Sequence, residues 1–177
     1  MPNIVYIATS LDGFIADQNN QIDWLHDIPN PEGSDFGFAD FMNEIDALVM
    51  GRNTFEMVAS FDCEWPYIKP VYLLSTTMQS VPEAYEGKVF LVNGEIEEIV
   101  AQLNQQGLQR LYIDGGKTIQ SFLEKDLIDE MIITTIPIIL GGGIPLFGAL
   151  SAPLKFKHQS ATRLVDCLVK NHYVRQP

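Results

Sequence analysis

The sequence predicts an α/β fold with a mostly parallel central sheet, an antiparallel pair of strands at its C-terminal edge and helices on both faces. Two observations carry this prediction. Short apolar runs alternate with amphipathic segments over most of the chain, and two extended segments then follow one another without a helix between them. Alternating strands and helices are typical of parallel sheets, whereas consecutive strands favour an antiparallel edge.

Six short apolar runs are the candidate strands of the parallel sheet. Each is nearly continuous in apolar residues, as in strands that are covered on both faces: residues 4–8, 47–50, 71–74, 89–92, 111–113 and 131–136. Helices are predicted where apolar residues recur three and four positions apart: residues 35–44, a segment starting near Thr54, residues 96–103 and residues 119–123. The C-terminal strands are expected over residues 154–160 and 164–173, around a turn at 161–163.

Charge and cysteine content restrict the classes of partner. Eleven lysines and arginines against 23 aspartates and glutamates give a net charge of −12, so most of the surface would repel nucleic acid and anionic membrane. Cys63 and Cys167 stand far apart without a CxxC or Cys/His cluster, which indicates neither a disulfide framework nor a metal site. No signal-peptide pattern precedes the first strand. We expect one domain in a cytoplasmic protein whose partner is a small molecule.

The stretch 111–123 has the order strand, glycine turn, helix. Gly115 and Gly116 separate the apolar run from the helix, and glycines there would let a ligand phosphate approach the free N–H groups of the first helical turn. A plain tight connection between strand and helix is the alternative, because the full GxGxxG spacing is missing. Arg52 follows a second strand and Gly51 in the same arrangement, and either binds an anion or caps an exposed turn.

Two further stretches have unusual composition. The polar segment 17–37 is long for a loop in a compact domain, which favours a functional segment that closes over a site. Within it, Trp24 is either a packing anchor or part of a cavity wall. The run 141–143 consists of three glycines and indicates either a close approach of the backbone to another group or a flexible hairpin. Ligands of parallel sheets bind beyond the carboxyl ends of the strands, so these turns can share one cleft.

Five ordered motifs together resemble the dihydrofolate reductase-like superfamily, with its three-layer fold. The resemblance is closer to the branch related to the reductase domain of bifunctional riboflavin-biosynthesis enzymes. The motifs are SLDGFIA at residues 10–16, VMGRNTF at 49–55, LLS at 73–75, IDGGKT at 113–118 and LGGGIPLF at 140–147. They follow the family's order and span nearly the whole chain.

The resemblance implies an NADPH-dependent reductase. Ala8 and Ile15 correspond to main-chain positions that hold the nicotinamide carboxamide. The resemblance implies that the loop at the 2′-phosphate and pyrophosphate consists of Gly51, Arg52, Asn53 and Thr54. Leu74 and Ser75 correspond to positions around the adenosine. The turn over the pyrophosphate corresponds to Gly115, Gly116, Lys117 and Thr118. Arg52 is the reason to prefer NADPH over NADH.

The resemblance also implies candidate catalytic residues and a homodimer. Asp114 matches the acid-Gly-Gly form of the riboflavin branch, Thr134 matches a substrate-side threonine, and Asp35 or Asp40 lies where dihydrofolate reductases carry their proton-donating carboxylate. The implied reaction is hydride transfer to a small heterocycle, as by 5-amino-6-(5-phosphoribosylamino)uracil reductase, although the few arginines form no obvious cluster for a ribose phosphate. The alternatives are a folate or pterin reductase and a non-catalytic nucleotide-binding module.

Overall fold

The computed structural model describes residues 1–177 and contains an eight-stranded sheet in the order β5-β4-β3-β6-β1-β7-β10-β9. The pairs among its first six strands are all parallel, whereas β10 runs antiparallel to both β7 and β9. This confirms the predicted mostly parallel sheet with an antiparallel C-terminal edge. The ten strands, including a small separate pair formed by β2 and β8, are β1 Asn3–Thr9, β2 Phe14–Ala16, β3 Ala47–Gly51, β4 Val71–Leu74, β5 Val89–Val92, β6 Leu111–Asp114, β7 Glu130–Thr135, β8 Ile144–Pro145, β9 Phe156–Leu164 and β10 Leu168–Arg175.

Four helices cover the two faces of the sheet and complete three layers. Helices α1 (Phe38–Glu44) and α2 (Arg52–Ala59) pack on one face, and α3 (Ile96–Gln105) and α4 (Gly116–Glu124) pack on the other. The sheet separates two apolar clusters because successive strand residues point to opposite faces. Three-residue 3-10 turns occur at Asp23–Leu25 and Glu83–Tyr85. None of these helices has the length and apolar character needed to cross a bilayer.

The first helix begins three residues later than the sequence predicts. Asp35 lies before α1, and its carboxylate accepts hydrogen bonds from the backbone N–H groups of Gly37 and Ala39 at 3.0 and 2.9 Å. Gly37 takes a left-handed backbone conformation with φ of 86°, which separates Asp35 from the helix. An acidic residue ahead of the apolar repeat was interpreted as helical, but it caps the turn that leads into the helix.

The C-terminal hairpin turns at residues 165–167, so the predicted turn at 161–163 is wrong. Val165 and Asp166 have φ of 42° and 62°, and Leu164 pairs with Leu168 across the turn. The guanidinium of Arg163 donates to the carbonyl oxygen of Asp166 at 2.8 Å and closes the turn. Ala161, Thr162 and Arg163 continue β9 because this strand forms an exposed edge, where large apolar residues are not required.

The triple-glycine run approaches the backbone of β2 closely. A Cβ atom on Gly143 would collide with the carbonyl oxygen of Ala16, which excludes the flexible-hairpin alternative. The Asp12 carboxylate accepts hydrogen bonds from the N–H groups of Leu140 and Gly141 at 3.1 and 2.8 Å, and so joins the turn after β1 to this run. Trp24 is 7% exposed and packs with Ile136 and Leu168, as a packing anchor does.

Candidate functional site

A cavity of about 1080 Å³ lies at the carboxyl edge of the parallel strands. Its walls come from the ends of β1, β3, β6 and β7, the N-termini of α2 and α4, and the segment 20–36. The segment that was expected to close over a site therefore forms one of its walls. Most of the predicted site residues meet in this cavity: Ala8, Ile15, Asp35, Gly51, Arg52, Asn53, Thr54, Asp114, Gly115, Gly116, Lys117, Thr118 and Thr134.

Leu74 and Ser75 are the two predicted cofactor contacts outside the cavity wall. Leu74 packs against the apolar cluster on the α3 and α4 face, and the Ser75 hydroxyl accepts a hydrogen bond from the Met78 N–H at 3.0 Å. The turn that Ser75 opens nevertheless reaches Arg52, because an Arg52 guanidinium nitrogen donates to the Thr77 hydroxyl at 3.1 Å. These residues thus adjoin the cavity at its Arg52 end.

Two helix N-termini point into the cavity without side-chain caps. Helix α2 begins at Arg52, directly after Gly51, so Arg52, Asn53 and Thr54 form its first turn rather than a loop ahead of it. Helix α4 begins at Gly116 in the same way, after Gly115. The first N–H groups of a helix lack partners within the helix and carry partial positive charge. Two such termini on one cavity provide two sets of donors for an anionic ligand.

The glycines at these corners leave no room for a Cβ atom. On Gly51 it would lie 2.9 Å from the Thr118 hydroxyl oxygen, and on Gly115 it would collide with the Thr54 hydroxyl oxygen. Gly115 also has φ of 96°, a conformation that favours glycine. Because each glycine faces a threonine of the opposite helix, the two N-termini come close together. The corners form a cradle that any larger residue would fill.

Arg52 and Lys117 supply the positive charge of the cavity wall. Lys117 is exposed and makes no ion pair, whereas the Arg52 guanidinium binds Glu56 at 2.7 Å and Thr77 at 3.1 Å. Arg52 remains 47% exposed, and its second terminal nitrogen is engaged by neither partner. A guanidinium that is fixed at one edge can donate hydrogen bonds from its free nitrogen to a phosphate.

Asp114 places a half-buried carboxyl group in the wall of the cavity. Burial raises the pKa of Asp114 from its usual value of 3.8 to about 6, against the opposing effect of hydrogen bonds from the Gly115 N–H and the Tyr67 hydroxyl. The Gly115 nitrogen lies 2.9 Å from the carboxylate oxygen. Removing the carboxylate from water disfavours its charged form more than these two donors favour it. Asp114 can therefore exchange a proton near neutral pH.

Three tyrosines of the cavity wall, Tyr6, Tyr67 and Tyr112, are absent from the site residues that the sequence predicts. Tyr6 and Tyr112 lie two residues before Ala8 and Asp114 on their strands, so the two-residue period of a strand places them on the same face. That period could have identified them from the sequence. Tyr67 belongs to the irregular segment between α2 and β4, where no periodic signal exists. Burial raises the pKa of Tyr6 to about 12, so its phenol is neutral.

Asp35 and Thr134 both line the cavity. The backbone donors of Ala39 and Gly37 hold the pKa of Asp35 below its usual value, so this exposed carboxylate is ionised at neutral pH. Thr134 pairs with Ala8 on the neighbouring strand and is 9% exposed. Asp40, the other candidate for the proton-donating carboxylate, lies in the first turn of α1 and does not line the cavity.

Comparison with known proteins identifies the family. The family model described as the RibD C-terminal domain matches residues 4–169. The chain belongs to the RibD C-terminal domain family. This confirms the resemblance to the riboflavin-biosynthesis branch of the dihydrofolate reductase-like superfamily.

Solved structures agree with membership of the RibD C-terminal domain family. A protein from Shewanella sp. PV-4, whose name provisionally assigns it to riboflavin biosynthesis, is 56% identical over the whole of both chains, with a TM-score of 0.98. A diaminohydroxyphosphoribosylaminopyrimidine deaminase/5-amino-6-(5-phosphoribosylamino)uracil reductase from Thermotoga maritima is 19% identical, with a TM-score of 0.74; the match covers 99% of this chain and 57% of that one. Dihydrofolate reductase from Enterococcus faecalis, solved with NADP(H), is 15% identical, with a TM-score of 0.68 over 99% and 97% of the chains. The last two show a shared fold.

The cavity of this RibD C-terminal domain has the donor set that a phosphorylated dinucleotide needs. Its pyrophosphate needs close backbone N–H groups, which the uncapped starts of α2 and α4 offer behind Gly51 and Gly115. An additional ribose phosphate needs a cation at the edge, where Arg52 lies. The residues present therefore fit a nicotinamide dinucleotide phosphate.

Proposed function

We propose that this protein is an NADPH-dependent oxidoreductase that reduces a small heterocyclic substrate. The observation that carries the proposal is the convergence of two uncapped helix N-termini, Arg52 and Lys117 on one cavity whose floor holds a protonatable carboxyl group. In a chain of net charge −12, such a local concentration of donors needs an anionic ligand to explain it.

The proposed cofactor contacts follow the arrangement of the cavity wall. Gly51, Asn53 and Thr54 on α2, together with Gly115, Gly116 and Thr118 at α4, would hold the pyrophosphate. Lys117 would add charge there, and Arg52 would bind the 2′-phosphate, with Leu74 and Ser75 near the adenosine. The main chain at Ala8 and Ile15 would hold the nicotinamide carboxamide. Bound NADPH supplies the hydride, and the protein orients it.

Asp114 is the proposed proton source for the reduced substrate. Its pKa of about 6 leaves a useful protonated fraction near neutral pH, as a general acid requires. Tyr67 donates to the same carboxyl group and would fix its orientation. Thr134 and Asp35, which line the same cavity, would contact the substrate. We expect bound cofactor and substrate to displace water from the transfer site.

The first test measures the binding of NADPH and of NADH to the wild-type protein and to Arg52→Ala. Nicotinamide fluorescence monitors each titration. Loss of a charged hydrogen bond to phosphate should weaken NADPH binding by about tenfold to a hundredfold. NADH, which lacks the 2′-phosphate, should lose much less. Lys157→Ala removes a positive charge from the exposed strand β9 and should change neither affinity. Equal losses of NADPH and NADH in Arg52→Ala would contradict the assigned role.

Turnover separates an enzyme from a nucleotide-binding module. With saturating NADPH, ribosylaminopyrimidines, pterins and dihydrofolate would be added in turn while the absorbance of the reduced nicotinamide is followed. The proposed function predicts oxidation of NADPH with a ribosylaminopyrimidine or a related small heterocycle. Fast turnover of dihydrofolate would favour a folate reductase, and tight NADPH binding without any turnover would favour the module.

A further inference from the structure

We propose that the substrate of this site carries no phosphate group and no other anionic group. It is an uncharged, flat heterocycle that lies against the apolar wall of the cavity. The inference rests on the proposed function and deepens it. It separates this protein from the Thermotoga maritima relative, whose name specifies a phosphoribosylamino substrate.

The first reason is the number of cations on the cavity wall. Arg52 and Lys117 are the only lysine or arginine side chains that line it, and both lie at the helix N-termini where the glycine corners meet. A dinucleotide with a 2′-phosphate carries three phosphate groups, which would use both cations and both N-termini. No cationic side chain of the wall then remains for a phosphate on the substrate.

The second reason is the charge of the substrate half of the cavity, by which we mean Asp114 and the wall residues Tyr6, Leu25, Ile28, Asp35, Phe36, Thr134, Ile136 and Leu168. Its acidic side chains are Asp35 and Asp114, and the tyrosine phenols of the cavity wall are neutral. Lys170 does not line the cavity, and its ammonium group donates to the Phe36 carbonyl oxygen at 2.9 Å. The Tyr6 hydroxyl donates to the same oxygen at 2.9 Å. This lysine is therefore held behind the cavity wall and adds no cation to the lining itself.

The third reason is the charge of a neighbouring cavity. A second cavity of about 530 Å³ lies between residues 20–26 and helix α2, shares Asn20 and Ile22 with the first, and offers space for a longer substrate. Its ionisable side chains are Asp23, Glu56 and His26, and it contains no lysine or arginine. Glu56 is itself bound to Arg52 at 2.7 Å. A phosphate in this second cavity would face two carboxylates.

The remaining wall indicates what does fit. Leu25, Ile28, Phe36, Ile136 and Leu168 line the substrate half with apolar surface, and the Thr134 hydroxyl lies among them. Apolar walls with few polar groups bind flat, weakly polar molecules and orient them by those few contacts. A heterocyclic base, alone or with an unphosphorylated sugar, matches this surface, whereas a phosphate would be transferred from water without a partner.

The test uses a matched pair of ligands, a ribosylaminopyrimidine and its 5′-phosphate, titrated by calorimetry into protein saturated with NADP⁺. We expect the unphosphorylated member to bind at least tenfold more tightly. Equal or tighter binding of the phosphorylated member would overturn the inference, and so would the binding of neither. Saturation with NADP⁺ is measured first, so that failure to bind the dinucleotide is recognised separately as failure of the proposed function.

A variant adds the missing charge. Asp23→Arg places a cation on the exposed wall of the second cavity and should strengthen binding of the phosphorylated member at least fivefold, with the unphosphorylated member unchanged. Asp27→Arg is the matched control, because Asp27 is also exposed and lines neither cavity. If both variants respond alike, or if neither responds, the charge of this wall does not select the substrate.

Discussion

Asp114 lowers the stability of the folded protein at neutral pH but provides a carboxyl group that can transfer a proton. Its carboxyl group ends strand β6 beneath the cavity, where burial opposes ionisation and raises the pKa to about 6. Hydrogen bonds from the Gly115 N–H and the Tyr67 hydroxyl replace part of the hydrogen bonding to water that the carboxylate loses on burial. A protein that kept this residue for stability alone would be better served by an amide. The carboxyl group is accordingly the residue-scale feature that most strongly indicates proton transfer.

The pH dependence of stability tests this view of Asp114. Because the pKa is higher in the folded state than in the unfolded chain, Asp114 favours folding below about pH 4 and loses that contribution as the pH rises to about 6. Asp114→Asn should remove this loss and raise the free energy of unfolding at pH 7 relative to that at pH 4 by on the order of 2 kcal/mol. Denaturant unfolding of both proteins at the two pH values measures the difference.

Comparing the wild-type protein with Asp114→Asn cancels the contribution of the other acidic residues to the pH dependence of stability. Asp12, Asp46 and Asp126 have pKa values lowered by hydrogen bonds and change stability in the opposite direction, but they do so equally in both proteins. A difference between the proteins that does not change from pH 4 to pH 7 would mean that Asp114 is not desolvated. Turnover by the variant should also fall, since an amide has no acidic proton to donate.

At the scale of elements, the strand-glycine-helix units were predictable because they depend on local signals. Apolar runs located the parallel strands, and Gly51 and Gly115 marked the turns that precede α2 and α4. The convergence of these turns follows from the general position of ligands at the carboxyl ends of parallel strands. The residue at which α2 begins was harder to predict, because Arg52 gives no clear signal of a first helical turn.

Other elements depend on contacts that a single sequence does not reveal. The hairpin between β9 and β10 turns at residues with positive φ that include Val165, a β-branched residue that rarely takes this conformation. Its position is set by pairing with β7 and by burial of Leu168 against Trp24. Tyr67 reaches Asp114 from an irregular segment, so its part in the site requires the three-dimensional structure.

The glycine corner of α4 provides the element-scale prediction. Gly115→Ala should weaken NADPH binding at least tenfold, because the new Cβ atom would displace Thr54 and fill the cradle between the two helix N-termini. Gly107→Ala is the matched control: Gly107 has φ of 90°, similar to the 96° of Gly115, but a Cβ atom there would meet nothing within 4 Å. Both variants should lose about 1 kcal/mol of stability from backbone strain, and Gly115→Ala should lose more because of the collision with Thr54.

Thermal unfolding and NADPH titration of these two glycine variants measure the two effects separately. The loss of stability in Gly107→Ala reports the strain of a positive φ alone, and the difference in NADPH affinity between the two variants reports the cradle. If Gly115→Ala binds NADPH as tightly as Gly107→Ala does, the corner does not hold the pyrophosphate.

At the scale of the whole molecule, the sheet ends in an open edge. Strand β9 spans nine residues that are exposed except at its two ends, and it pairs only with β10. A long unprotected edge strand is a template for pairing with another chain. We therefore propose that the protein forms a homodimer through this edge, as the family resemblance implies.

Sedimentation equilibrium would test the assembly. The chain has a mass of 19.9 kDa, so a dimer would give a measured mass of twice that value. Hydrogen exchange of the β9 amides should slow as the protein concentration rises through the dimer dissociation constant, because pairing protects them. A single species at the mass of one chain, with β9 exchange independent of concentration, would contradict the dimer.

The most direct test of the central claim is a crystal structure of the protein with bound NADPH. We expect the 2′-phosphate on the Arg52 guanidinium, the pyrophosphate between the starts of α2 and α4, and the nicotinamide ring beside Ala8 and Ile15. The ring should then lie on the same side of the sheet as Asp114. A dinucleotide bound outside this cavity, or bound with its 2′-phosphate away from Arg52, would contradict the account.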